Sequence, residues 1–526
     1  MEMKMKTDLN GLTSNISPAN MNWDWVVIAA IGFATVSLWA IFGHGHRRPP
    51  GPKALPIIGH FHLFTDTTKP LHQILSSLSA KYGPIINLRF GSRPVLVISS
   101  SELAKQCYST NDLAFASRPQ LTQGKHLGYD YYVLGWAPYG AYWRNVRKIC
   151  VVELLSSKRI HFFQPKRTRE ISKAITSLFQ QGLDHNIINM SQFLFQLTFN
   201  LLLGMILGDQ SFGDNSVISY DEMKRTIEES FVLNGAICIG DYIPWLKRFD
   251  LQGHEKAMKI VQRKLDSYLQ RIVEKHRENE SNKDEYQMDF IDVLISEEKD
   301  EAISDKDAFV KSTAMQMLLA GADTSSVTLE WAMSLLLSHP DRLRNAQDEL
   351  DSKIGQNRVV EESDIGQLNY LQAIVKETLR LHPAAPLLVP HQSTEACTVG
   401  GFHIPAGTTL MINAWAIHRD EKVWNKPLEF IPERFMEVGG ERGVGNIYNM
   451  ENEYEMIPFG AGRRGCPGVS LAMTTMHITL ARLLQGFNWF VPDGQVIDMN
   501  EGVGVTMPRA VPLNVIVESR LPHGLY

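Results

Sequence analysis

The sequence offers no regular set of cysteines. Its five, Cys107, Cys150, Cys238, Cys397 and Cys466, are scattered and odd in number, which does not build a disulfide framework and suits a reducing compartment. At least one thiol is therefore free, and what occupies it becomes a question. A basic excess is missing too. The net charge is −5, whereas a nucleic-acid binder would carry a surplus of lysine and arginine. No Gly/Ser linker and no internal repeat divides the chain, so one large domain is favoured, although the length would allow several. What is present is an apolar fraction of 44% against 21% charged, ordinary for a chain that buries a large core.

The N-terminal region carries the clearest local signal. Residues 26–42 are an uncharged run with Trp23, Trp25 and Trp39 near its ends. That is the short limit of a membrane-spanning helix, and interfacial tryptophans lengthen the usable segment. A cleaved signal peptide would show a shorter apolar region and a small-residue cleavage site. Here His44, His46, Arg47, Arg48 and Pro49-Pro50-Gly51-Pro52 follow instead. Arg47, Arg48 and Lys53 outweigh Lys4 and Lys6, which puts the C-terminal bulk in the cytoplasm by the positive-inside rule. The expected organisation is a tail over 1–22, a transmembrane anchor over 23–42, a proline-rich hinge over 43–60 and one large domain over 61–526.

Within that domain, residues 85–90 and 95–99 read as strands around the turn-like Gly91-Ser92-Arg93. The stretch 101–381 is mainly helical in pattern, and 389–410 is strand-like with Gly400-Gly401 as a turn. Polar, acidic segments around 278–287 and 355–364 read as surface connections. The fold class is mainly α with a small β portion.

The most informative segment is Phe459-Gly460-Ala461-Gly462-Arg463-Arg464-Gly465-Cys466-Pro467-Gly468, just ahead of an apolar helical run over 469–484. A cysteine before a helix start sees the positive end of the helix dipole, which lowers a thiol's pKa. The glycines let the backbone fold tightly and aim amides at the sulfur. The spacing Gly460-x-Gly462-x-x-Gly465 also fits a dinucleotide fingerprint. That reading expects an acid about 20 residues on, but the first is Asp493, and Pro467 stands where the phosphate-binding helix should begin.

Phe459, Gly462, Arg464, Cys466 and Gly468 at these spacings resemble the cysteine loop of the cytochrome P-450 superfamily. The resemblance runs from Pro49 to Leu513, and Ala414-Trp415-Ala416-Ile417-His418-Arg419-Asp420 is similar to the plant microsomal branch. It implies a b-type haem (iron protoporphyrin IX) ligated by the Cys466 thiolate, and a haem-binding catalytic domain over 61–526. It also implies use of dioxygen, with electrons from NADPH delivered by NADPH–haemoprotein reductase on the endoplasmic reticulum membrane. The tail over 1–22 departs from that branch, which usually begins its anchor almost at once.

Further residues take roles from the same resemblance. Ser304 or Asp305 can cap a helix ended by Pro340. Inside it, Ala320-Gly321-Ala322-Asp323-Thr324 is similar to the family's oxygen-side helix, where acid and alcohol relay protons. Gly321 itself suggests a kink or a close approach. Asp323 and Thr324 are the expected catalytic pair, against the plainer reading of a solvated face. Glu377 and Arg380, with Arg434 of Pro432-Glu433-Arg434-Phe435, match a buried structural triad. On a surface such a pair would contribute only a few tenths of a kcal/mol. Trp143 and Arg147, four apart on a helix face, imply a propionate contact with the indole N–H beside it. Arg464 and His391 imply the same contact, and Arg118 could serve likewise.

Candidate substrate-lining segments, by position, are 115–132, 319–324, 386–389 and 502–506. The named residues are Phe115, Leu319, Ala320, Leu387, Leu388, Val389, Val503 and Val505, whose apolar character favours a hydrophobic guest. Several of them are expected to be core residues instead. The implied reaction is hydroxylation of a small hydrophobic molecule, a plant secondary metabolite by analogy. The alternatives are a non-insertion oxidation on the same haem (phenol coupling, desaturation, dehydration) and a non-enzymatic haem sensor or electron carrier.

Overall fold

The longest of the described helices starts and stops where side chains dictate. The computed structural model describes residues 47–64, 69–208, 220–278, 288–297, 303–436 and 454–526. The expected anchor over 23–42, the tail before it and most of the polar segment 278–287 lie outside the described residues. Among the described residues no helix is long and apolar enough to cross a membrane. Residues Pro49–Tyr526 form one compact unit, mainly helical with small sheets.

Five helices position the site: α1 (Ala141–Glu153), α2 (Met190–Ile206), α3 (Lys306–Ser338), α4 (Asn369–Leu381) and α5 (Val469–Gly486). α3 begins where the Asp305 side chain accepts the Ala308 N–H at 3.0 Å, capping an otherwise orphan donor. It stops before Pro340, the first residue of the next helix. Its 33 residues span about 50 Å at 1.5 Å per residue. Most of its length is buried, as expected for a helix through the middle of a large core. α2 lies against it. The Thr198 hydroxyl donates to the Ala322 carbonyl at 2.9 Å, and a Cβ at Gly321 would stand 2.7 Å from Leu202 Cδ1. Gly321 therefore serves close helix approach. No break in α3 accompanies it.

The main sheet contains β1 (Ile85–Phe90), β2 (Arg93–Ile98), β3 (His391–Gln392) and β4 (Thr409–Ile412), in the order β1-β2-β4-β3. β1 and β2 form an antiparallel hairpin with Ile85 opposite Ile98. β2 runs parallel to β4, and β4 antiparallel to β3. This last pairing, His391 opposite Leu410, fixes His391 beside the cavity described below. The remaining strand-like region resolves into the hairpin Cys397–Val399 and Phe402–Ile404, turning at Gly400 and Gly401 with φ +58° and +77°.

The Glu377, Arg380 and Arg434 triad is assembled and buried. Arg380 Nε and Nη2 donate to the two Glu377 oxygens at 2.7 and 2.8 Å. Arg434 Nε reaches Oε1 at 3.1 Å, and the Ile431 N–H reaches the same atom at 2.9 Å. The other Arg380 donors go to the carbonyls of His418, Pro427 and Glu429. Glu377 and Arg380 are fully buried, so the hydrogen bonding has to be complete, because a buried charge left unpaired costs several kcal/mol.

Candidate active site

The cysteine loop is a tight backbone construction. The Cys466 N–H donates to the Phe459 carbonyl at 2.9 Å and the Gly465 N–H to the Gly462 carbonyl at 3.0 Å. Gly460 and Gly462 adopt φ of +67° and +68°, a conformation that L side chains resist. At Gly462 a Cβ would also meet Asp112 Oδ1 at 2.5 Å. Asp112 is a latch: it accepts the Arg463 N–H at 3.1 Å and pairs with the Arg463 guanidinium at 3.1 Å.

Cys466 lies two residues before Gly468, the residue that precedes α5. Its sulfur faces an internal cavity and accepts the Gly468 N–H at 3.4 Å. Burial raises the thiol pKa, opposed by that amide and by the Arg147 charge. Helix-start geometry alone suggested a lowered value, but desolvation wins. Metal coordination is what would deprotonate such a thiol.

The cavity measures about 310 Å³ and its walls are mostly apolar. Arg118, Arg147, Arg464 and His391 line it, and among the described residues no Asp or Glu does. Arg118 Nε and Nη1 donate to the carbonyls of Gly135, Val389 and Pro390, which leaves Nη2 for a ligand. Arg147 donates to the Gly465 carbonyl at 2.7 Å. Arg464 donates to the carbonyls of Ala116, Leu134 and Ala137 and lies 4.3 Å over the Trp143 ring. Burial lowers Arg118 to about 10 and Arg464 to about 9, and neighbouring guanidiniums add to both shifts. Mutually repelling cations in a largely apolar cavity with no acid among its described lining residues call for an anionic ligand.

His391 is held neutral by burial and by Arg118. Its Nδ1–H donates to the Phe115 carbonyl at 2.8 Å, so Nε2 presents a lone pair and becomes a donor only if the ring is protonated. For Trp143 the sequence expectation needs correction. Its indole N–H donates to the Leu134 carbonyl at 3.2 Å, and the ring acts as an aromatic floor for Arg464 and Arg147. An apolar macrocycle with two carboxylates and a thiol-seeking iron matches this set of walls, cations and sulfur.

On the α3 side, Thr324 lines the cavity and its hydroxyl donates to the Ala320 carbonyl at 2.7 Å. Asp323 is not part of the lining. Burial raises its carboxyl pKa to about 6, against a hydrogen bond from Thr506 that lowers it. Asp323 Oδ2 is buried without a hydrogen-bond partner.

Among the residues singled out for substrate, Ala320, Leu388 and Val389 line the cavity. Leu388 does so with φ +52°, a strained backbone held by its N–H to the Ala385 carbonyl at 3.0 Å. Five others do not reach it. Phe115 packs in the core around Ile98, Leu319 against the main helical core, and Leu387 near Leu88 and Phe90. Val503 and Val505 are 67% and 44% exposed. Phe459 lines the cavity. The sequence reading missed Asp112, Gly135 and Gln316. Only Gly135, a glycine between Leu134 and Trp136 shortly before Pro138, carried any local signal.

Residues 49–513 match the family model for cytochrome P450. The chain is 41% identical over 497 residues to xanthotoxin 5-hydroxylase of Arabidopsis thaliana, covering 91% of this chain and 94% of that protein. It is 40% identical to isoflavone 3'-hydroxylase of Medicago truncatula, covering 90% and 92%. A solved zebrafish cytochrome P450 structure with progesterone aligns at TM-score 0.71 and 26% identity, over 86% of this chain and 100% of that one. The fold and site are those of an oxidoreductase that carries a thiolate-ligated haem. The chain belongs to the cytochrome P450 family, among its plant members, and is a monooxygenase.

Proposed function

We propose that this protein is a monooxygenase of the endoplasmic reticulum membrane that hydroxylates a small hydrophobic plant secondary metabolite. Dioxygen is the co-substrate, and NADPH supplies electrons through NADPH–haemoprotein reductase. The observation that carries the reading is the cavity itself, where the Cys466 sulfur, three guanidiniums and the Thr324 stretch of α3 line one largely apolar space. When bound, the haem supplies the one-electron and dioxygen chemistry that side chains lack.

Cys466 is the iron ligand, and the Gly468 N–H on its sulfur tempers electron donation. Arg118, Arg147 and Arg464 would hold the carboxylates, and His391 joins them only when its ring is protonated at Nε2. Thr324 and Asp323 move protons. Thr324 must exchange its bond to the Ala320 carbonyl for one toward the cavity. Asp323 must rotate away from Thr506 to reach Thr324, and a carboxyl near pKa 6 both gives and takes protons near neutral pH. The glycines of the one dinucleotide-like motif build the cysteine loop, which supports electron delivery from a separate protein. The membrane assignment rests on the sequence of residues 23–42.

The test is turnover with reductase, NADPH and isotopically labelled dioxygen. One labelled atom in the product is expected. Product without label overturns oxygen insertion in favour of coupling, desaturation or dehydration.

A further inference from the structure

We propose that Gln316 selects the substrate, and that the substrate is a neutral, largely apolar molecule carrying a hydrogen-bond acceptor oxygen. The inference rests on the monooxygenase reading of the same cavity. Gln316 stands on α3 and lines that cavity. The Gly135 N–H donates to its Oε1 at 3.0 Å. Only the oxygen of a carboxamide can accept that bond, so the orientation of the amide is fixed and Nε2 keeps both its N–H donors. No hydrogen bond from Nε2 occurs among the described residues.

The clamp has a second stage. The Gly135 carbonyl accepts Arg118 Nε at 3.1 Å, so one residue is held by the cavity's cation through its carbonyl and orients Gln316 through its N–H. A side chain at residue 135 would disturb this, since a Cβ there would lie 3.1 Å from both Gln316 Nε2 and Oε1. Three threonines of the lining differ. Thr198, Thr324 and Thr328 give their hydroxyl protons to helix carbonyls. They offer the cavity lone pairs rather than fixed donors.

Position sets the geometry of selection. Gln316 precedes Thr324 by two helical turns, about 12 Å along α3 at 1.5 Å per residue. The small Ala320, also in the lining, leaves the path between them open. A guest hydrogen-bonded to Gln316 can thus extend toward Thr324 and present its far end for oxidation, so Gln316 sets which carbon is presented. Charge completes the class. With guanidiniums that engage the haem carboxylates and no Asp or Glu among the described lining residues, a protonated amine has no free counter-ion there. A guest without an acceptor leaves a desolvated N–H pair unsatisfied, which is what makes such a site discriminate.

The experiment uses the full-length haem-loaded protein and two probes of matched shape, flavone and 2-phenylnaphthalene. Each is titrated while the Soret shift is followed. The quantity read is the ratio of the two dissociation constants, so that the probes' different hydrophobicities cancel between variants. Gln316→Leu is expected to move the ratio against flavone by about tenfold, the value of one hydrogen bond near 1.4 kcal/mol. Gly135→Ala, which leaves Gln316 in place but displaces its amide, is expected to move it in the same direction. The reduced carbon-monoxide spectrum of both variants should match the wild type. A ratio unchanged in Gln316→Leu, or a wild type that takes up neither probe, overturns the role of Gln316. Absence of a thiolate-type Soret band in the wild type overturns the haem reading instead, and this inference with it.

Discussion

Asp323 is the side chain whose environment makes the most specific demand. Burial raises its carboxyl from 3.8 to about 6, against a hydrogen bond from Thr506. A shift of that size corresponds to about 3 kcal/mol of preference for the protonated form. The sign follows from proton counting. Between the unfolded and folded pKa values the folded chain binds more protons than the unfolded one, so this group's contribution to stability falls as pH rises through about 6. Between about pH 5 and pH 8 the loss is roughly 1.4 kcal/mol by the same linkage. The perturbation is Asp323→Asn, which keeps the shape and removes the titration. The direct assay is the infrared band of a protonated carboxyl, taken as wild type minus variant across pH. Its midpoint should lie near 6, and the stability difference between the two proteins should narrow or reverse in the variant's favour as pH rises. A midpoint near 4, or a difference that does not change with pH, would refute the argument that burial dominates at this site.

Four other outcomes follow from the geometry. Glu377→Ala strands two cations at a buried site and should cost about 3–5 kcal/mol, read as a lower denaturation midpoint and a poor yield of haem-loaded protein. Arg434→Ala should cost less, because Arg380 still pairs with Glu377 through two bonds. Alanine at Gly462 should destabilise more than alanine at Gly460 in thermal denaturation. Both incur about 1–2 kcal/mol of left-handed backbone strain, but only the Gly462 Cβ would strike Asp112 and the Tyr108 carbonyl, at 2.5 and 2.9 Å, while at Gly460 the nearest atom is 3.9 Å away. Asp323→Asn should also slow product formation by on the order of 100-fold, as loss of a proton-transfer group does, with NADPH consumption less affected.

Local signals carried far through this chain. Asp305 and Pro340 mark the ends of α3 because capping and the missing proline N–H act within one turn. The cysteine loop was legible because several residue types had to recur at fixed spacing. Glu377 and Arg380 are three apart on one helix, so their partnership was open to sequence reasoning, and Arg434 came with a motif of its own. What escaped were pairings made only by the fold. Gly135 and Gln316 are 181 positions apart, and Arg463 and Asp112 are 351 apart. Apolar character could not separate Val389, in the cavity wall, from Val503 on the surface or Phe115 in the core, since burial depends on which face each backbone presents. The indole N–H of Trp143 was misjudged for a related reason: a carbonyl nine residues upstream, Leu134, reaches it first. The thiol pKa of Cys466 shows two local effects in competition, and only the surrounding atoms decide that desolvation exceeds the helix-start amide and Arg147.

The claim on which the account stands is that the Cys466 sulfur ligates a haem iron. It is tested most directly by the reduced carbon-monoxide difference spectrum of the full-length protein in membranes, recorded beside Cys466→Ala. A strongly red-shifted Soret band in the wild type, absent from the variant, is the predicted result. A wild type that binds no haem, or a variant with an unchanged spectrum, would contradict it and leave Cys466 a structural cysteine.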